Sequence, residues 1–133
     1  MPLLSTAPIV AFSAITDADR AKAFYRDQLG LRLVSEDGVA LVFDAAGTML
    51  RVQRVEEVRV AQYTALGWQV PDIAAKVEEL EKAGVHFEHY GMPGQDERGI
   101  WTPPGSTAKV AWFKDPDGNI LSLTQFPAAD EHG

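Results

Sequence analysis

Arg51 is the side chain best suited to chemistry in this sequence of 133 residues. Its guanidinium is permanently charged, rigid and forked, so it suits a carboxylate, phosphate or enolate on a bound molecule. Alternation along a strand over 48–53 puts Met49, Arg51 and Gln53 on one face. The competing readings pair Arg51 with one of the nineteen Asp and Glu side chains, or turn it outward after a one-residue slip. Glu88 and His89 are the candidates for a general base; a surface or hydrogen-bonded role is the commoner one for a His without an orienting partner. His86 and His89 are three apart on an expected strand, hence on opposite faces, which disfavours joint metal chelation. Trp101 lies in a glycine-rich loop, where an indole is placed to stack on a planar ligand. Trp68 and Trp112 fall on expected strands, where core packing is the usual role. Residues 95–101 read either as a lid or as a solvated turn in which Arg98 pairs with Asp96 or Glu97 for about 0–1 kcal/mol. Cysteine is absent, and there is no Ser-His-Asp spacing, phosphate-binding glycine loop or dinucleotide fingerprint.

The elements that must hold these residues are written twice. Residues 113–123 collect a proline, aspartates that bond their own backbone, and Asp117-Gly118 between two β-rich runs, which predicts a hairpin. Residues 44–52 repeat its layout, so Arg51 and Ser122 should fall at equivalent places in two similar modules. The first module reads as a strand over 9–15, a helix over 18–29 introduced by Asp17 and stopped by Gly30, and strands over 31–35, 39–43 and 48–53. A charged segment over 54–62 reads as a linker or a short helix. The second module reads as a strand over 63–70, a helix over 73–83 after Asp72, a strand over 85–90, a long loop over 91–105, and strands over 109–113 and 120–125. The polar segment over 127–133 reads as a mobile tail. The expected organisation is one domain over 1–133, of class α+β, with modules over about 8–54 and 63–126.

Composition excludes several function classes. Hydrophobic residues make up 46% of the chain, enough for a core, yet no apolar run approaches the ~20 residues needed to span a bilayer. The N-terminus lacks the basic and apolar regions of a secretory signal, so a cytoplasmic location is expected. A net charge of −7 with scattered Lys and Arg opposes a phosphate backbone, so neither nucleic acid nor membrane is an expected partner.

Several motifs together resemble the vicinal oxygen chelate superfamily of glyoxalase I, extradiol dioxygenases, and fosfomycin- and bleomycin-resistance proteins. They are Asp17 with Phe24-Tyr25 and Leu29-Gly30, Asp72 with Leu80 and Gly84, and above all the run Trp112-Phe113-Lys114-Asp115-Pro116-Asp117-Gly118-Asn119. The resemblance implies two βαβββ modules with curled mixed sheets forming an open cup, and commonly a homodimer. It also implies four metal-ligand positions, which here are Val10, Ala65, Arg51 and Ser122. None is a usual ligand, and an arginine would repel a cation. The expectation is therefore a protein with no metal and no other cofactor.

Strand alternation then assigns the cup-facing candidates Phe12, Arg51, Gln53, Gln69, Ser122 and Thr124, with Trp101 from the loop. The expected function is metal-independent binding or sequestration of a partly aromatic small molecule, anionic where Arg51 contacts it. The alternative is a metal-independent isomerase, epimerase or lyase in which Arg51 stabilises an enolate-like charge and Glu88 or His89 acts as base.

Overall fold

The computed structural model describes residues 3–127, so all but the first residue of the expected tail over 127–133 lies outside the described residues. The chain divides into two compact units, Met1–Arg59 and Val60–Gly133, with the boundary inside the segment read as a linker.

In the first unit, β1 (Val10–Ile15) leads through the N-cap Asp17 into α1 (Ala18–Lys22). The Asp17 carboxylate accepts the backbone N–H groups of Asp19 and Arg20, two donors that no helical carbonyl can reach. The helix then changes winding. Residues Ala23–Gln28 are π-helical, whereas the apolar spacing predicts a regular α-helix to residue 29. The physical reason lies in two adjacent rings: Phe24 and Tyr25 are both buried and meet edge-to-face at 5.0 Å. The wider turn brings neighbouring positions toward the same side, and Tyr25 reaches Phe43 at 5.9 Å.

Strands β2 (Arg32–Glu36), β3 (Ala40–Ala45) and β4 (Thr48–Arg54) complete a four-stranded sheet of order β1-β4-β3-β2, with β1 parallel to β4. Asp37 closes the first hairpin by accepting the N–H groups of Val39 and Ala40 at 2.7 and 2.9 Å. Ala46 and Gly47 close the second, both at positive φ (51° and 91°), as a two-residue turn between twisted strands requires. Leu41, Phe43, Leu50 and Val52 are buried on the face that receives Tyr25. The opposite face carries Phe12, Arg51 and Val42 in one register row.

In the second unit, β5 (Leu66–Gln69) precedes α2 (Ile73–Lys82), and β6 (Lys109–Lys114) and β7 (Ile120–Gln125) follow a long loop. The three-stranded sheet has the order β5-β7-β6, with β5 parallel to β7. Helix α2 packs on β6 and β7 through the buried Ile73 and Val77, and Gln125 accepts the first helical N–H, that of Ile73, at 2.8 Å. The hairpin read from sequence is present: buried Asp115 accepts the N–H groups of Asp117 and Asn119 and the Asn119 side-chain amide, while Gly118 takes φ 91°.

The strand expected over 85–90 is reduced to a single bridge, Phe87 with Phe113. The Glu88 N–H still bonds the Trp112 carbonyl, but the last donor of the segment, that of Tyr90, turns with its neighbour Gly91 to the Gln95 side chain. Burial of Val85 and Phe87 accounts for the apolar pattern without a ladder. The architecture is α+β with two mixed sheets and few helices. No helix among the described residues is long and apolar enough to cross a membrane.

Candidate ligand-binding site

Strand β6 alternates cleanly. Ala111 and Phe113 are fully buried toward α2, so Trp112 between them faces the other side of the sheet. There its ring meets Trp101 at 5.7 Å and Tyr90 at 5.6 Å. Trp112 thus faces away from the core, contrary to its strand-based expectation, whereas Trp68, also half-buried, lies on the core face and stacks on Phe113 at 6.3 Å. The three rings border an open cleft of about 610 Å³, also lined by Tyr63, Met92 and Lys114.

The loop over 88–101 holds two of these rings, and a single side chain organises it. Gln95 accepts from the N–H groups of Tyr90 and Gly91 and donates to the carbonyls of Glu88 and Gly99, satisfying four backbone groups. Trp101 is fixed by its bridge to Val110 and by its indole N–H donating to the Pro93 carbonyl at 3.1 Å. The segment over 95–101 read as a candidate lid is this stapled turn. Within it Asp96 accepts the backbone N–H groups of Arg98 and Ile100, and the Arg98 guanidinium reaches the Ala74 carbonyl at 3.4 Å. Burial, with a smaller contribution from the Glu88 carboxylate, raises the Tyr90 hydroxyl above its ordinary value, so the ring stays neutral at physiological pH.

The two base candidates are placed differently. Glu88 lies 4.0 Å from the Lys114 ammonium. His89 Nε2 is 2.9 Å from the Glu97 carbonyl, which can only accept, so that nitrogen carries the proton and staples the loop.

On the same side of the second sheet as Trp112 stand Ser122, Thr124 and Gln69. Ser122 pairs with Trp112 on one side and Gly67 on the other, and Thr124 pairs with Gln69. A smaller hollow of about 230 Å³ lies over Gly67, Gln69 and Thr124. The first unit holds the remaining candidates: Phe12, Arg51 and Gln53 share the face opposite Tyr25. Phe12 is 53% exposed there and Arg51 is half-buried, with no hydrogen bond or ion pair to any described residue. Its positive charge, with that of Arg54, adds to the Val39 and Ala40 N–H groups in holding the Asp37 carboxyl below its usual range.

Residues 10–123 match the Glyoxalase/Bleomycin resistance protein/Dioxygenase superfamily. The chain belongs to that superfamily.

Solved structures share the superfamily fold. FosX from Listeria monocytogenes, a genomically encoded fosfomycin resistance protein, superposes with a TM-score of 0.71 at 13% identity, over 92% of this chain and 95% of that one. A glyoxalase family protein from Enterococcus faecalis gives 0.69 at 21% identity, over 90% and 98% of the two chains. A glyoxalase/bleomycin resistance protein/dioxygenase from Alicyclobacillus acidocaldarius gives 0.66 at 17%, over 91% and 92%. No curated protein sequence matches the chain. At these identities the likeness establishes the fold alone.

Within the glyoxalase superfamily the resemblance to metal-using members points to Val10, Ala65, Arg51 and Ser122 as the ligand positions. Two aliphatic side chains, a guanidinium and a hydroxyl do not fit a divalent cation, which takes carboxylate or imidazole. Among the described residues no group of three or more His, Cys, Asp or Glu is arranged to hold a metal ion. Tyr90, Trp112 and Gln95 are the site residues that sequence reasoning missed. The available signal for Trp112 was its place between Ala111 and Phe113; an isolated glutamine in a glycine-rich loop gave none for Gln95.

Proposed function

We propose that this glyoxalase superfamily chain is a metal-independent small-molecule-binding protein, and that its ligand carries a planar aromatic ring. The observation that carries this reading is the cleft bordered by Tyr90, Trp101 and Trp112, whose rings are held by the Gln95 staple and the Trp101 bridge. Aromatic walls fixed before binding favour a flat ligand, because little side-chain entropy remains to be lost. The donor set at the superfamily's metal positions supports binding without a cation. Small molecules are the partners in this reading, with no role for nucleic acid or membrane, and the protein acts in the cytoplasm as a homodimer.

The test is tryptophan fluorescence titration after exhaustive chelation, comparing naphthoic acid with cyclohexanecarboxylic acid. The expected result is saturable binding that favours naphthoic acid and weakens several-fold in Trp101→Ala, in line with about 0.5–1.5 kcal/mol for an aromatic pair. Equal binding of the two acids, or a requirement for added metal, overturns the reading.

A second reading is favoured by Arg51, a half-buried cation without an ion-pair partner among the described residues. It would stabilise enolate-like charge in a metal-independent isomerase, epimerase or lyase, with Glu88, or His89 through Nδ1 while its Nε2 bonds the Glu97 carbonyl, as base. Conversion of a bound carbonyl compound by chelated protein, abolished in Arg51→Met, is the outcome that selects it.

A further inference from the structure

Among the described residues that border the aromatic cleft, Lys114 is the only charged one. Strand β6 positions it: Lys114 stands two residues beyond Trp112, hence on the same face and about 6.8 Å further along the strand. Its register partner Ile120 also borders the cleft. The aliphatic stem of Lys114 therefore has apolar surface beside it, and the ammonium supplies the polar end of a site whose other end is aromatic.

That ammonium is held loosely. Glu88 is its one ion-pair partner among the described residues, at 4.0 Å, well beyond the roughly 2.8 Å of a charge-assisted hydrogen bond. Lys114 donates no hydrogen bond to any described residue. The two side chains are 45% and 32% exposed, so solvent screens their attraction and the pair adds little to stability. A cation in this state keeps its three donors for a ligand. The chain as a whole carries a net charge of −7, which repels anions at long range, so a local cation is what admits one. A flat ring against Trp112 would carry a substituent on its edge within reach of the four-carbon stem of Lys114.

We propose that Lys114 determines the specificity of the cleft, selecting a planar aromatic carboxylate whose ring packs on Trp112 and Trp101 and whose carboxylate accepts hydrogen bonds from the Lys114 ammonium. Glu88 is the internal competitor that the ligand carboxylate displaces. The proposal rests on the aromatic-cleft reading and deepens it by naming the charge of the ligand and the residue that reads it.

The test is isothermal titration calorimetry with three probes that share one ring system, 2-naphthoic acid, 2-naphthamide and 2-naphthylmethylamine, against wild type, Lys114→Met, Lys114→Arg and Glu88→Gln. The expected result is that wild type prefers the acid, and that Lys114→Met lowers affinity for the acid by about fivefold to tenfold while leaving the amide unchanged, the scale of one partly exposed charge-assisted bond. Lys114→Arg should keep the preference, and Glu88→Gln, which removes the competitor and its repulsion, should bind the acid more tightly than wild type does. Added salt should weaken the acid alone. Equal affinity of wild type for acid and amide, tighter binding of the amine, or an equal effect of Lys114→Met on acid and amide overturns the role of Lys114 and leaves the cleft reading intact. Failure of all three probes to bind wild type overturns the cleft reading, and the role of Lys114 with it.

Discussion

The side-chain carbonyl of Gln95 accepts the backbone N–H of Tyr90 at 2.7 Å, so the ring that closes one side of the aromatic cleft is held by a residue five positions further along the loop. The same amide bonds Gly91, Glu88 and Gly99. One substitution therefore removes four bonds from one loop. Gln95→Leu, which keeps the bulk and loses the polarity, should cost about 1–3 kcal/mol in urea unfolding. It should also weaken the near-ultraviolet circular dichroism of the ring cluster and reduce binding of naphthoic acid. Unchanged stability together with unchanged binding would show that the loop holds its own shape.

The turn between β3 and β4 contains a correctable strain. Ala46 sits at φ 51°, a region that L side chains enter at a cost of roughly 1–2 kcal/mol. Ala46→Gly relieves that cost but frees the unfolded chain, an opposing effect of about 0.4–1 kcal/mol. The expected net gain is about 0.5 kcal/mol, read as a small rise in Tm, and a fall would mean that the methyl group contributes packing.

Asp37 supplies a pH response of known sign. The Val39 and Ala40 N–H groups hold its carboxyl below the ordinary 3.8, so the stabilisation is present above that pH and is lost as pH falls through the lower folded value. Acid titrations of Tm should therefore fall more steeply below pH 3.8 for wild type than for Asp37→Asn, which no longer titrates there. Parallel curves would remove Asp37 from the acid response.

Arg51 separates binding from stability. No ion pair to a described residue is lost in Arg51→Met, so the unfolding free energy should change by no more than about 0.5 kcal/mol. Affinity for an anionic ligand should fall by about 1.5 kcal/mol if the guanidinium donates a charge-assisted bond. A large loss of stability would instead reveal a structural partner.

Much of this was legible in the sequence wherever local chemistry decides the backbone. Asp17 and Asp72 cap their helices, Gly30 and Gly118 take the positive φ that their places demand, and Asp115 organises the hairpin whose pattern is the strongest motif in the chain. The misreadings share a different cause. The π winding over Ala23–Gln28 follows from the burial of two neighbouring rings, and the strand expected over 85–90 shortens to one bridge as its end turns into the loop held by Gln95. Both outcomes are set by packing and by contacts across a loop, which hydrophobic period does not encode. The candidate site divides along the same line. Alternation placed Gln69, Ser122 and Thr124 on one side of a sheet, but the meeting of Tyr90 with Trp112 depends on loop path.

In each unit the first strand lies at the sheet edge and runs parallel to the last one, β1 beside β4 and β5 beside β7. During synthesis, Val10–Ile15 and Leu66–Gln69 thus leave the ribosome long before their partners exist. Neither sheet can close until its final strand has emerged, and the chain-closure entropy must be met before that pairing is rewarded. A nascent chain halted ahead of residue 120 would expose the flank of β5 to any other extended polypeptide, which makes the second unit the one most dependent on protection while it is being made.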